Sequence, residues 1–134
     1  GIVGLTLAKL GAMSVTLTDK EPELWELMQR NILANSLCDR AHVHGLDWTD
    51  KATYLSSRRF DMVVAADVLY SGRQRMFVRA LAAHMPKGAC TTAYVACPYR
   101  EDSPLDSFFD RGHGLGMIFE RLEDDEGRAT GGVV

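Results

Sequence analysis

The sequence has little of what marks several functional classes. Its net charge is −3, and no run of adjacent lysines and arginines exceeds the pair Arg58-Arg59, so we expect no nucleic-acid partner. No stretch reaches the ~18 apolar residues that span a bilayer, which predicts no membrane partner. The three cysteines show no CxxC spacing, so the sequence predicts no disulfide framework and no metal site. These absences favour a protein of the reducing cytoplasm or nucleus.

The order of the apolar patterns predicts an α/β fold. The chain has 134 residues, of which 46% are hydrophobic, and this is enough for one domain over residues 1–134. Helix and strand signals alternate, which is typical of a doubly wound, mostly parallel, Rossmann-like sheet. The polar tail over 123–134 is expected to be solvated. The patterns predict helices over 2–10, 22–36, 73–85 and 103–111, and strands over 14–18, 42–46, 62–66, 89–97 and 116–122.

The first twenty residues resemble part of a nucleotide-binding β-α-β unit. A glycine turn at Gly1 and Gly4 leads into an apolar helix, and the strand that follows ends at Asp19. In doubly wound folds the glycine turn lets the backbone approach a cofactor, and an acid at the tip of the next strand accepts hydrogen bonds from ribose hydroxyls. Alternatively, Asp19 caps the helix that begins near Pro22. Gly1 and Asp19 are therefore candidate cofactor ligands.

A second candidate site follows the apolar run 62–66. Asp67 comes directly after this run, at the carboxyl end of a strand expected to be buried on both faces. Ligands bind at that edge of open α/β sheets, and an idle carboxylate between apolar faces would be costly. Asp67 could instead cap the next helix. Tyr70, three residues on, either faces a substrate or fills the core with its hydroxyl bonded to backbone.

Several motifs in order resemble one enzyme family. They are GIVGLTLAKLGA, VTLTD, NILAN, LDW and FDMVVAADVLY. In this order and at these spacings they are similar to the seven-strand, class I S-adenosylmethionine-dependent methyltransferases. More narrowly, the chain resembles methyltransferase family sixteen, which consists largely of protein-lysine methyltransferases. The segment Asp67-Val68-Leu69-Tyr70 matches the DxxY signature of that group.

The resemblance implies a function and a set of site residues. It implies S-adenosyl-L-methionine as cofactor and a lysine side chain of another protein as substrate. We also expect the protein to be a monomer. Asp47 and Trp48 lie where the family contacts adenine, although Trp48 could simply close the edge of the core. The implied catalytic residues are Asp67 and Tyr70, and the implied cofactor ligands are Gly1, Asp19, Asp47, Trp48 and Ala66.

The resemblance also predicts that the chain is a piece of a longer protein. The family's glycine motif opens with an acid and two further glycines after a first strand, whereas this chain has only the last glycine, Gly1. In the family that strand lies between the strands that correspond to 14–18 and 60–66. We therefore expect a fragment that lacks its first strand and part of its C-terminal strand pair, and that binds the cofactor weakly.

Two other functions are compatible with parts of this pattern. A flavin- or nicotinamide-dependent oxidoreductase also has a glycine turn, helix, strand and acid in this order. The short spacing to FDMVVAADVLY and the lack of a second domain argue against it. A non-catalytic binding module is the other alternative, and the presence of Asp19, Asp67 and Tyr70 argues against a decayed site.

Overall fold

A computed structural model describes residues 1–69, 72–85, 88, 90–98, 105–123 and 129–133. Helices and strands alternate along most of the described chain, as the sequence predicts. A short 3₁₀ turn over Lys51–Thr53 lies within the predicted loop. The helices are α1 Ile2–Lys9, α2 Pro22–Ala34, α3 Gln74–His84 and α4 Leu105–Gly114, and the strands are β1 Val15–Asp19, β2 Ala41–Gly45, β3 Met62–Ala66, β4 Thr92–Ala96, β5 Arg121–Glu123 and β6 Ala129–Val133.

The chain divides into two compact units, residues 1–53 and 54–134. In the first unit β1 and β2 pair in parallel, from Val15 opposite Ala41 to Asp19 opposite Gly45. Helices α1 and α2 pack on this pair. The prediction of a single domain over 1–134 stays a prediction. The core of the first unit consists of Ala8, Leu17, Met28, Ile32, Leu37 and Ala41.

Two glycines allow α1 to lie close to β1. A Cβ atom at Gly4 would stand 3.2 Å from Cγ of Leu17 and 3.3 Å from Cγ1 of Val15. A Cβ atom at Gly1 would stand 3.1 Å from Cδ2 of Leu17 and 3.2 Å from Cγ of Met28. All four distances are tighter than ordinary van der Waals contact. Close packing of helix on strand is therefore one reason for glycine at these positions.

The second unit contains a four-stranded sheet in the order β3-β4-β6-β5. Strands β3 and β4 are parallel, from Met62 opposite Thr92 to Ala66 opposite Ala96. Phe108 of α4 is fully buried, and its ring lies 6.1 Å from that of Phe77 and 5.3 Å from that of Phe119. Core packing thus accounts for the aromatic residues of α4.

His84 is a buried polar side chain in the second unit. Its Nε2 atom accepts a hydrogen bond of 2.9 Å from the backbone N–H of Leu55. Its Nδ1 atom lies 2.7 Å from the carbonyl oxygen of Ala80, so the ring proton is on Nδ1 and is donated to that oxygen. His84 therefore ties the segment before β3 to α3 and has a structural role.

The end of the chain contains strands that differ from those the sequence patterns predict. The tail was expected to be solvated over 123–134, but residues 129–133 form β6, which pairs antiparallel with β4 and with β5. Strand β5 covers Arg121–Glu123 and overlaps the predicted strand 116–122 only at its end, and the expectation that part of the C-terminal strand pair is missing stays a prediction. The reason for β6 is non-local. Backbone pairing with the edge of β4 orders a glycine-rich segment whose own composition signals no strand.

The other boundaries agree with the sequence patterns within a few residues. This confirms a mixed α/β fold with parallel strands. The predicted start of α4 at 103–104 lies outside the described residues. Among the residues that are described, no helix combines the length and apolar character needed to cross a membrane.

Candidate cofactor and substrate sites

Asp19 is held at the carboxyl end of β1 by its own backbone and side chain. Its carbonyl oxygen accepts hydrogen bonds from the N–H of Leu46, at 2.9 Å, and from Nε1 of Trp25, at 2.8 Å. Its Oδ1 atom accepts a hydrogen bond of 3.0 Å from the N–H of Glu21. Within the described ranges no hydrogen bond reaches Oδ2. The carboxylate is thus oriented, with one oxygen available to accept from a hydroxyl.

The alternative role of Asp19 as a helix cap holds only in a modified form. The residue that precedes α2 is Glu21, and no side-chain hydrogen bond caps this helix. Asp19 accepts instead from the N–H two residues on, as in an Asx turn. The carboxylate therefore stabilises the approach to α2 through Oδ1, and this leaves the predicted contact through Oδ2 possible.

The loop after β2 is closed by Thr53. The Thr53 hydroxyl oxygen accepts from the N–H of Asp47 at 3.0 Å and lies 2.7 Å from the carbonyl oxygen of Asp50. Oδ1 of Asp47 accepts from the N–H and the hydroxyl of Thr49 at 2.8 and 2.7 Å. Trp48 is half-buried in this loop. Asp47 and Trp48 thus sit on a segment whose shape is fixed by short-range hydrogen bonds.

We expect Thr53→Val to loosen this loop, because valine keeps the shape of threonine but lacks its hydroxyl. The free energy of unfolding should fall by about 1 kcal/mol, and the Asp47 amide should exchange its hydrogen faster. Urea denaturation and amide hydrogen exchange measure these effects. Thr53→Ser is the matched control, since it keeps the hydroxyl and should exchange as the wild type does. Equal exchange in the valine variant would show that the hydroxyl does not hold the loop.

Asp67 occupies an unusual backbone conformation directly after β3. Its φ is 52°, in the left-handed region, which aspartate tolerates better than most residues. Its N–H donates a hydrogen bond of 2.7 Å to the carbonyl oxygen of Ala96, the last residue of β4. Non-glycine residues held in this region cluster at functional sites. The backbone turn therefore places Asp67 at the carboxyl edge of the β3-β4 pair.

The side chain of Asp67 is exposed, and so is Ala66. The expectation that Asp67 lies between two apolar faces is therefore wrong, and the cost of burying a carboxylate does not support its role. The chain turns out of the strand at Asp67, so the apolar run before it says little about the surroundings of its side chain. Its position at the strand end supports the role instead.

Cys97 lies beside Asp67 at the same edge. It follows β4 as Asp67 follows β3, and it is half-buried. Burial raises the pKa of the Cys97 thiol above its ordinary value, and the negative charge of Asp67 raises that pKa further. The Asp67 carboxylate is therefore close enough to act on the thiol, which makes Cys97 a chemical reporter of this edge.

The raised pKa predicts how Cys97 reacts with an alkylating reagent. Only the thiolate reacts, so at pH 8 Cys97 should react more slowly than free cysteine and gain reactivity at higher pH. Asp67→Asn removes the negative charge, lowers the pKa of Cys97 and should speed its alkylation at fixed pH. Peptide mass spectrometry after timed alkylation measures this rate.

Cys90 provides the internal control, since it is exposed and precedes β4 at the opposite end of the strand. Its rate should be the same in both proteins. A Cys97 rate that does not change in Asp67→Asn would show that the carboxylate and the thiol do not interact.

The structure brings the predicted site residues together in two groups. In the first unit, Asp19 and the loop with Asp47 and Trp48 follow two strands that are parallel and adjacent. In the second unit, Ala66 and Asp67 meet the end of β4. Tyr70 lies outside the described residues. Gly1 precedes α1 and packs against Leu17 and Met28.

Sequence reasoning missed three side chains that shape these groups. Trp25 reads as one more apolar position of an amphipathic helix, Thr53 reads as a turn residue, and Cys97 is one of three unremarkable cysteines. The only available signal was that each lies close in sequence to the carboxyl end of a strand or to its loop. In the part of the chain that the structure describes, no three histidine, cysteine or acidic side chains gather as a metal site would require.

Comparison with known proteins identifies the family to which the chain belongs. Residues 1–111 match a protein-family model described as lysine methyltransferase. Protein N-lysine methyltransferase METTL21A of Mus musculus is 37% identical over 73 residues, which are 52% of this chain and 33% of that relative. The alignment thus spans about a third of the length of the curated relative. The match covers most of the chain, and the chain therefore belongs to the lysine methyltransferase family.

Proposed function

We propose that the protein transfers a methyl group from S-adenosyl-L-methionine to a lysine side chain of another protein. The observation that carries this proposal is the match of residues 1–111 to the lysine methyltransferase family. The name of the mouse relative describes the same activity. The family match lends no support to an oxidoreductase. Action as a monomer, in the cytoplasm or nucleus, stays a prediction.

The residues of the first unit fit an adenosine group. The ribose hydroxyls are hydrogen-bond donors, and Asp19 offers a carboxylate that is oriented by the hydrogen bond to its Oδ1 atom. The Trp48 indole is half-buried on a loop of fixed shape, and an indole can stack on a purine. We assign Asp19 to the ribose, and Asp47 and Trp48 to the adenine. Gly1 and Ala66 are assigned to contacts between the protein backbone and the cofactor.

The amine of the substrate must lose its proton before it can react. Bound S-adenosylmethionine supplies the methyl group on a positively charged sulfonium. Lysine has a reference pKa of ~10.4, so at pH 7 nearly all of it is protonated and has no lone pair for attack. Burial of the amine in an apolar channel lowers its pKa by desolvation, and so does a neighbouring positive charge. The protein contributes mainly by position and electrostatic fit.

Asp67 is assigned to orient the neutral amine. Its reference pKa of ~3.9 lies far below that of an amine, so it is a poor base for this proton. A carboxylate is a strong acceptor, however, and the N–H groups of an amine are donors. The hydrogen bond between the Asp67 N–H and Ala96 fixes the backbone that carries this acceptor. Tyr70 is assigned to the same task on the strength of the DxxY motif.

The experiment that tests this function is a labelling reaction with the protein as its gene encodes it. The protein is incubated with a cell extract and S-adenosylmethionine that carries an isotope-labelled methyl group, and labelled peptides are identified by mass spectrometry. We expect the label on lysine side chains, and its loss when S-adenosylhomocysteine is added in excess.

A matched extract separates lysine from other acceptors. Its lysines are acetylated chemically before the reaction, so that they accept no methyl group. The label should then disappear. Label that persists on other residue types would show that the substrate class is wrong, and no labelled protein in either extract would contradict the proposed activity.

A further inference from the structure

One tryptophan contacts the ends of both strands of the first unit. Trp25 lies in α2, and its Nε1 atom donates a hydrogen bond of 2.8 Å to the carbonyl oxygen of Asp19. Its six-membered ring lies over Gly45, where an added Cβ atom would stand 2.6 Å from Cη2 of the indole. Asp19 and Gly45 are the last residues of β1 and β2 and are partners in the strand register. A single side chain thus joins these two ends.

The bond from Trp25 is additional to the pairing of the strands. The Asp19 carbonyl oxygen already accepts from the N–H of Leu46, at 2.9 Å, which continues the parallel ladder. A carbonyl oxygen has two lone pairs, so both donors can be accommodated. The N–H of Leu46 is enough to satisfy the Asp19 carbonyl oxygen. The bond from Trp25 therefore mainly restricts the orientation of the Asp19 peptide group.

The Asp19 side chain is restricted from its other end. Oδ1 accepts from the N–H of Glu21, four residues before Trp25. The carbonyl bonds and the carboxylate bond together hold both ends of the residue. Removal of the Trp25 donor would leave the Asp19 carbonyl oxygen with the Leu46 bond, and the looser peptide group would hold the Oδ2 atom less firmly. Any side chain at position 45 would push the indole away, and this explains glycine there.

We propose that Trp25 is a positioning residue that holds the Asp19 carboxylate for the ribose hydroxyls of the cofactor, and that Gly45 makes room for its indole. This inference rests on the proposed function, in which Asp19 binds the ribose. Trp25 also packs against the core of the first unit. The test must therefore separate the effect of its N–H group from the effect of its packing.

Replacement of Trp25 by benzothienylalanine makes this separation. This amino acid has the shape of tryptophan, with sulfur in place of the indole N–H, so the packing over Gly45 is kept and only the hydrogen bond is lost. A second variant, Gly45→Ala, displaces the indole while Trp25 itself is unchanged. The two variants disturb the same contact by independent routes.

The affinity of each protein for two ligands is measured by calorimetric titration, with the protein as its gene encodes it. The two ligands are S-adenosylhomocysteine and its 2′,3′-dideoxy analogue, which lacks the ribose hydroxyls. We expect benzothienylalanine at position 25 to weaken binding of S-adenosylhomocysteine about three- to tenfold, the range for one hydrogen bond. Binding of the dideoxy analogue should change less than about twofold, because its ribose has no hydroxyl for Asp19 to accept from. Gly45→Ala should likewise weaken binding of S-adenosylhomocysteine more than binding of the dideoxy analogue.

The Asp19→Ala variant tests whether Trp25 affects cofactor affinity through the Asp19 carboxylate. In the Asp19→Ala background, benzothienylalanine at position 25 should cause no further loss of S-adenosylhomocysteine affinity, since the group that Trp25 positions is gone. Additive losses would overturn the inference. An equal loss for both ligands would also overturn it, because a purely structural role predicts that result.

Failure of the inference and failure of the proposed function give different results. A wild-type protein that binds S-adenosylhomocysteine no better than the dideoxy analogue would contradict the ribose role of Asp19 and, with it, this inference. A wild-type protein that binds neither ligand would contradict the proposed function itself. Binding with a clear preference for the hydroxyls, unaffected by either variant, would overturn the role of Trp25 alone.

Discussion

Asp67→Asn is expected to lower the rate of methyl transfer at least tenfold, which corresponds to about 1.4 kcal/mol of transition-state stabilisation. Asparagine tolerates the left-handed backbone that Asp67 adopts, with its φ of 52°, so the turn after β3 should persist. The change removes the charge that we assign to the orientation of the amine. Cofactor affinity should change by less than about half of this free energy, because we assign the adenosine contacts to other residues.

Single-turnover methylation and a cofactor titration together measure this prediction. Asp61→Asn is the matched control, since Asp61 is an exposed acid that precedes the same strand at its opposite end. It removes the same charge and should leave the rate unchanged. Tyr70→Phe removes a hydroxyl alone and is expected to lower the rate as Asp67→Asn does. Parallel losses of rate and cofactor affinity in Asp67→Asn would instead assign Asp67 to cofactor binding.

The positions of the candidate acids were predictable from local patterns. An apolar run followed by an acid places Asp67 at the end of β3, and an alternating strand places Asp19 at the end of β1. Both positions follow from the end of an apolar or alternating strand pattern, which local sequence carries. The parallel pairing of β1 with β2 and of β3 with β4 confirms this part of the reasoning.

The contacts that fix these acids were not predictable in the same way. The indole of Trp25 reaches Asp19 only because α2 folds back over the strand ends, and the amphipathic pattern of α2 does not distinguish a core side chain from such a contact. The backbone at Asp67 is left-handed although no glycine, the residue that usually marks this conformation, stands there. The strand β6 depends on pairing with distant residues. None of these features follows from the pattern of apolar residues, and β6 also requires pairing with residues that are distant in sequence.

The two acids are fixed by different means. Asp19 ends its strand with ordinary pairing, and hydrogen bonds to its carbonyl oxygen and Oδ1 determine its orientation. Asp67 is placed by a rare backbone conformation and by a backbone hydrogen bond to Ala96. Replacement of Asp19 therefore disturbs a network that includes Glu21, and a test of its ribose contact must separate that network from the ligand.

Asp19→Ala is expected to cost about 1–3 kcal/mol of cofactor affinity, the range for leaving hydrogen-bonding groups unpaired. Trp48→Ala should cost less, because a stacked indole is one of several contacts to the adenine. The loss in Asp19→Ala combines the ribose contact with the Asx turn to the N–H of Glu21. Calorimetric titration with S-adenosylhomocysteine measures the total.

Asp19→Asn separates the two contributions to this loss. The asparagine carbonyl oxygen can still accept from the N–H of Glu21, whereas its amide nitrogen replaces Oδ2 with a donor that cannot accept from a ribose hydroxyl. If the ribose contact dominates, asparagine should lose nearly as much cofactor affinity as alanine. Asp39→Asn, an exposed acid of the same unit, controls for the lost charge and should bind as the wild type does. Full affinity in Asp19→Asn would show that Asp19 only stabilises the turn before α2.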